Sequence, residues 1–168
     1  ISFQDENDTT QYAWQNSWGL STRIIGALIM THGDDDGVVM PPKVAPTQVL
    51  VVAAKQDDAV LTKCTEIFDA LKKSGVRVAK DVSEKTSLGW KLNDSELQGI
   101  PVTLILGNRE LEQNQVTAAI RFNQTKESLE LTNIVDQING LLEKIQNEMF
   151  ARAQTRTSEL TFEAHSYD

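Results

Sequence analysis

Between Val49 and Ala79 the sequence leaves few folds open. Residues 49–54, VLVVAA, form a short continuous apolar run of the kind a strand buried on both faces requires. Asp57 or Asp58 can then cap a helix. Its apolar positions, Val60, Leu61, Cys64, Ile67, Phe68 and Leu71, follow the i, i+3, i+4, i+7 spacing of one buried face. Ser74-Gly75 stops that helix, and Val76 to Ala79 begins a second strand. Strand, helix and strand in this order imply a parallel pair with a right-handed crossover.

The elements that follow extend the sheet. A loop through Gly89 and a short helix near Asp94 to Gln98 lead to Pro101 and a third strand, Val102 to Leu106. Gln115 to Arg121 and Glu127 to Leu131 alternate, with Asn123-Gln124 as a hairpin turn. Thr132 or Asn133 caps a long final helix. Its stripe of Ile134, Val135, Ile138, Leu141, Leu142, Ile145 and Met149 needs a sheet to cover. The expected fold class is α/β, a mixed sheet of about five strands with flanking helices.

Upstream, residues 1–11 read as a polar loop and Tyr12 to Trp18 as a strand. Ser21 or Thr22 caps a helix with an apolar face of Ile24, Ile25, Leu28 and Ile29, closed by Gly33 as a C-terminal cap. The loop from His32 to Pro46, with three aspartates and three prolines, is the best domain boundary. After about Gln154 the chain turns polar. The division expected is 1–46, 47–153 and an incomplete segment, 154–168.

Composition narrows the function classes. No apolar run approaches the roughly 20 residues needed to span a bilayer. One cysteine, Cys64, excludes an intramolecular disulfide and a cysteine-based zinc site, and fits an intracellular, reducing compartment. A net charge of −8 argues against binding nucleic acid through bulk positive potential. From Lys72 to Lys91, however, six basic residues face two acidic ones, a local balance of +4. That stretch is either a solvated face or a small anion-facing patch.

Chemistry concentrates in Trp14-Gln15-Asn16-Ser17-Trp18-Gly19-Leu20-Ser21-Thr22-Arg23. Arg23 falls in the first turn of the expected helix, where the macrodipole disfavours a cation by about 0.3–1 kcal/mol. An anion between them would reverse that penalty, and a helix start plus a guanidinium suits a nucleotide's phosphates. Gly19 would let a flat ligand approach the backbone. The simpler account is that Arg23 pairs with an acid and both tryptophans are core. His32 with Asp34, Asp35 and Asp36 admits a metal site or, more simply, a solvated turn; no metal ligands are assigned.

Residues 14–46, WQNSWGLSTRIIGALIMTHGDDDGVVMPPKVAP, resemble motif 3 and the following linker of prolyl-tRNA synthetases of the archaeal and eukaryotic type. The resemblance continues through KSGVRV (73–78), GWK (89–91), ELQGIP (96–101), the strand ending at Gly107, and FARA (150–153). It implies the last strand and helix of a class II catalytic domain, followed by an anticodon-binding domain. It implies a proline–tRNA ligase that uses ATP and Mg2+ to form prolyl-adenylate and then charges tRNA(Pro). Motifs 1 and 2 should lie upstream of Ile1, so that this chain alone does not activate proline. A cytoplasmic homodimer, paired through the catalytic domain, is also implied. A non-catalytic tRNA-binding or regulatory paralogue is the alternative.

The same resemblance implies roles for single residues. Arg23 matches the catalytic motif 3 arginine that contacts ATP, and Ser21 a small hydroxyl residue that also contacts the nucleotide. Ser17, Trp18 and Gly19 match the floor beneath proline and the adenylate. Glu96, Arg109 and Glu110 match residues that read the two anticodon guanines, although surface charges on loops are the commoner fate of such residues. Ser95, Gln98 and Thr103 depart from the family's Trp, basic residue and Arg. Either a residue of the Lys72–Lys91 patch compensates for Thr103, or the anticodon is read less stringently.

Overall fold

A computed structural model describes residues 1–166. Its centre is a five-stranded sheet made of β3 (Val49–Ala53), β4 (Val78–Asp81), β5 (Val102–Leu106), β6 (Gln115–Ile120) and β7 (Thr125–Glu130), in the order β4-β3-β5-β6-β7. β3 pairs in parallel with β4 and β5, and β5, β6 and β7 are antiparallel. The mixed α/β fold expected from the sequence is the fold observed.

One face of the sheet is covered by α2 (Asp58–Lys73) and α5 (Ile134–Leu160). From α2 come Val60, Cys64, Ile67 and Leu71, and from α5 come Ile138, Leu141, Ile145 and Met149. These meet Val49, Val51, Leu104, Val116 and Ala118 in one continuous core. Asp57 caps α2, its carboxylate accepting from the Ala59 N–H at 3.0 Å. The opposite face carries α3 (Leu88–Leu97), while β6 and β7 alternate there with half-exposed or exposed residues.

Several boundaries differ from expectation for identifiable reasons. The second strand starts at Val78 because the Val76 N–H closes α2 on the Leu71 carbonyl at 3.1 Å, and the Gly75 N–H on that of Lys72. α3 begins at Leu88 because Ser87 caps it through the Trp90 N–H, which offsets the cost of Gly89 in the first turn. The final helix runs on to Leu160, past the polar change at Gln154, and no side chain caps its start. Of the expected segment 154–168, the last two residues lie outside those described.

The N-terminal part departs most. Residues 1–11 are not a simple loop: β1 (Ser2–Gln4) pairs antiparallel with β2 (Thr10–Tyr12), and Asp5 fastens their turn by accepting from the N–H groups of Asn7 and Thr9. The strand expected over Tyr12 to Trp18 is absent beyond Tyr12. Among the described residues no neighbour offers these a ladder, and three-residue exposed strands carry no apolar period. α1 (Arg23–His32) forms where expected, but Ile24, Ile25 and Ile29 stay exposed. Thr22 sits at its N-cap without a side-chain bond, and Gly33 ends it in extended rather than left-handed backbone.

Candidate nucleic-acid interface

The segment after α1 begins as an exposed turn and is docked on the sheet domain by side-chain bonds and by its later residues. Asp34 accepts from Arg121 Nη1 at 2.7 Å and also from Nη2, while Asp36 accepts from Gln124 Nε2 at 2.9 Å. The guanidinium beside Asp34 holds its carboxyl below the usual range, against the opposing effect of burial. Val39, Pro41, Pro42 and Ala45 are buried. Arg77 donates to the carbonyls of Ala45 and Pro42, each at 2.8 Å. Asp34, Asp35 and Asp36 thus form an exposed turn, as the simpler reading expected, with Asp34 and Asp36 also bonded to the sheet domain. Partial burial, with Arg152 nearby, lowers the His32 pKa.

The basic run from Lys72 to Lys91 is not one anion-facing surface. Arg77 is committed to the linker carbonyls, and Lys80 lies over the Phe68 ring and donates to Thr65. Lys91 is buried, donating to the carbonyl of Ser83 at 2.6 Å and pairing with the Asp81 carboxylate at 3.2 Å.

Glu96 ends the last turn of α3, exposed at the rim of a small cavity of about 60 Å³. Ser95, Thr103, Ala119, Arg121 and Lys126 also line it. Thr103 is buried and donates to Ser95 Oγ at 3.1 Å, so this site faces α3 and not the α2–α5 core. Arg109 and Glu110 lie in α4 (Asn108–Glu112), beyond the other end of β5. Arg109 is exposed, and the Glu110 carboxylate accepts from the Gly107 N–H at 3.1 Å. Gly107 lies four residue steps beyond Thr103, roughly 13 Å at about 3.3 Å per residue. Glu96 and the Arg109–Glu110 pair thus occupy two stations along one strand. Between them the uncovered surface of β5 and β6 is made of Ile105, Thr117 and Ala119, all half-buried.

At the other end of the chain, Ser17, Trp18, Gly19, Ser21 and Arg23 are all exposed, Trp14 and Trp18 almost completely. The tryptophans are not core in this chain. Among the described residues Arg23 forms no ion pair. The N–H groups of Ile24 and Ile25 already bond the carbonyls of Ser21 and Thr22, so an anion here would be gripped by the guanidinium more than by the helix start.

A family model described as Anticodon binding domain matches residues 48–141. The chain belongs to the anticodon-binding domain family. It is 40% identical over 172 residues to the cytoplasmic proline–tRNA ligase of Arabidopsis thaliana, covering all of this chain and 32% of that protein. It is 43% identical over 169 residues to the proline–tRNA ligase of Lachnospira eligens, again over the whole chain and 35% of the relative. The prolyl-tRNA synthetase of Cryptosporidium parvum, complexed with L-proline and AMP, superposes with a TM-score of 0.88 at 38% identity, over 94% of this chain and 35% of that one. The same synthetase with halofuginone and AMPPNP gives 0.90 at 37%, over 99% and 35%. The chain therefore spans about a third of the length of these relatives.

Within this anticodon-binding domain, sequence reasoning missed two cations. Lys126 lines the Glu96 cavity from β7, in register with Ala119 of β6, which is itself in register with Thr103. None of the residues from 72 to 91 lines that cavity. Arg121 lies behind it, one residue beyond β6. Both fall in the β6–β7 hairpin, far in sequence from ELQGIP, and only strand register brings them beside it.

Proposed function

We propose that this chain is the part of a proline–tRNA ligase that presents the motif 3 helix to ATP and reads the anticodon of tRNA(Pro). The observation that carries the proposal is the uncovered half of the sheet, with Glu96 at one end of β5 and Arg109 at the other. Two splayed bases can occupy stations of that spacing, which is how unpaired RNA is usually read. Glu96 suits the N1–H and amino group of a guanine. Lys126 suits its O6 and N7, supplying the cation that Thr103 cannot. Arg109 takes the second base or its phosphate, with Glu110 fixing the turn that carries it.

In the whole enzyme, proline and ATP give prolyl-adenylate and pyrophosphate, and the prolyl group then passes to the terminal ribose of the tRNA. The bound proline and adenine nucleotides of the Cryptosporidium parvum synthetase support these substrates. Arg23 offsets charge on the phosphate oxygens, Ser21 contacts the nucleotide, and Ser17, Trp18 and Gly19 form the floor beneath proline and the adenylate. Magnesium would be held largely by the phosphates of ATP, since among the described residues no three His, Cys, Asp or Glu side chains gather. Residues 1–46 then close the catalytic domain, 47–153 form the anticodon reader, and 154–168 begin a further segment. Dimerisation through the catalytic domain and a cytoplasmic location complete the reading.

The test is a titration of this chain against a hairpin carrying a proline anticodon, followed by anisotropy at two salt concentrations, with each guanine replaced in turn. Selective weakening on guanine replacement supports anticodon reading. Weak, salt-sensitive binding that ignores the bases overturns it.

A further inference from the structure

We infer that Arg121 is a positioning residue for anticodon reading, holding Glu96 and the 34–40 segment together as one joint. This rests on the reading of Glu96 given above. The Arg121 side chain is 3% exposed, yet it carries a full charge. Its Nε donates to the Glu96 carbonyl at 3.1 Å, and its two terminal nitrogens take both oxygens of Asp34. A buried guanidinium is tolerated only when such partners surround it, so its position dictates theirs.

The backbone around this contact is closely fitted. The Met40 N–H donates to the Gly99 carbonyl at 3.2 Å. A Cβ on Gly37 would stand 3.0 Å from Leu97 Cα, and one on Gly99 would stand 2.6 Å from the Val38 carbonyl oxygen. Neither site admits a side chain without a shift. Asp34 follows directly on Gly33, which ends α1, the helix that Arg23 begins. Arg121 thus ties the end of α3 that carries Glu96 to the segment that leaves α1. Arg121 also neutralises acidic charge beside the surface where an RNA backbone must approach, since Asp34, Asp36 and Glu96 all act on it.

Arg121→Met, Arg121→Lys and Asp34→Asn, made in this chain, test the inference. For each, the ratio of dissociation constants for the proline-anticodon hairpin and its guanine-replaced control is measured beside the thermal midpoint. The expected result is that Arg121→Met narrows the ratio by about fivefold or more, the size of one lost base contact. Arg121→Lys recovers part of it, and Asp34→Asn narrows it although Asp34 reads no base. If Arg121→Met does not fold, Asp34→Asn at its half-exposed position carries the test. Folded variants that keep the original ratio overturn the inference and leave Arg121 a packing role only. An unsubstituted chain that ignores the guanines overturns the reading of Glu96, and the inference with it.

Discussion

The ammonium of Lys91 stands 3.2 Å from the carboxylate of Asp81 on a side chain only 2% exposed, and it closes α3 over the edge strand β4. The Ser83 and Asp81 carbonyls complete its shell at 2.6 and 3.3 Å. Lys91→Ala leaves these acceptors and the carboxylate without their donor, and should cost about 3 kcal/mol. Lys91→Met, which keeps the apolar stem, should cost less. Urea unfolding of the two variants checks the order.

Glu96→Gln and Lys126→Ala should act on base choice rather than on folding, since both residues are exposed. Each should reduce discrimination at one anticodon guanine by about 1–3 kcal/mol. Lys126→Ala should also flatten the salt dependence of binding. Titrations against single-guanine replacements separate the two residues from Arg109, whose loss should affect the other guanine.

Gly99 has φ +69°, and its Cβ position collides with the Val38 backbone. Gly99→Ala should therefore destabilise the chain by more than about 1 kcal/mol, from left-handed strain and displacement of the linker together. Gly140→Ala serves as the control, because a Cβ there meets open space. Comparable losses in both variants would contradict linker docking.

Asp34 introduces a pH dependence. Its pKa is depressed in the folded chain, first by Arg121, so the unfolded state takes up the proton more readily. The resulting stability is fully present above the unfolded value of about 3.9, and is lost as pH falls through the lower folded value. The stability gap between the chain and Asp34→Asn should be open at pH 7 and close progressively below about pH 4. Denaturation midpoints taken across that range measure it.

Burial pushes the Cys64 thiol up to about 11, so at pH 8 it is protonated and enclosed. Reaction with a disulfide reagent should be slower than that of a free thiol by at least about 100-fold in the folded chain. It should recover fully in denaturant. Rapid labelling of the native chain would contradict the packing of α2.

The parts read correctly from sequence are those whose apolar pattern is local. The run at Val49 to Ala53, the stripe from Val60 to Leu71 and the stripe from Ile134 to Met149 each announce their buried side by period alone. The end of the final helix is not legible in the sequence, because residues 154–160 continue it with no apolar stripe. Nor could the β1–β2 hairpin be seen, since its strands bury nothing. The tryptophans at 14 and 18 were open to a core reading only because sequence does not say which elements lie over them.

The sequence by itself determined the α/β order of elements, the core faces and the family resemblance, because each depends on residues close together in the chain. Tertiary structure alone decided which charges are available. It took Lys91 and Arg77 out of the basic run and set Lys126 beside Glu96. It also joined Asp34 to Arg121 across 87 residues. Charges and hydrogen-bonding groups are committed by strand register and close backbone approach, and neither is written in any local period.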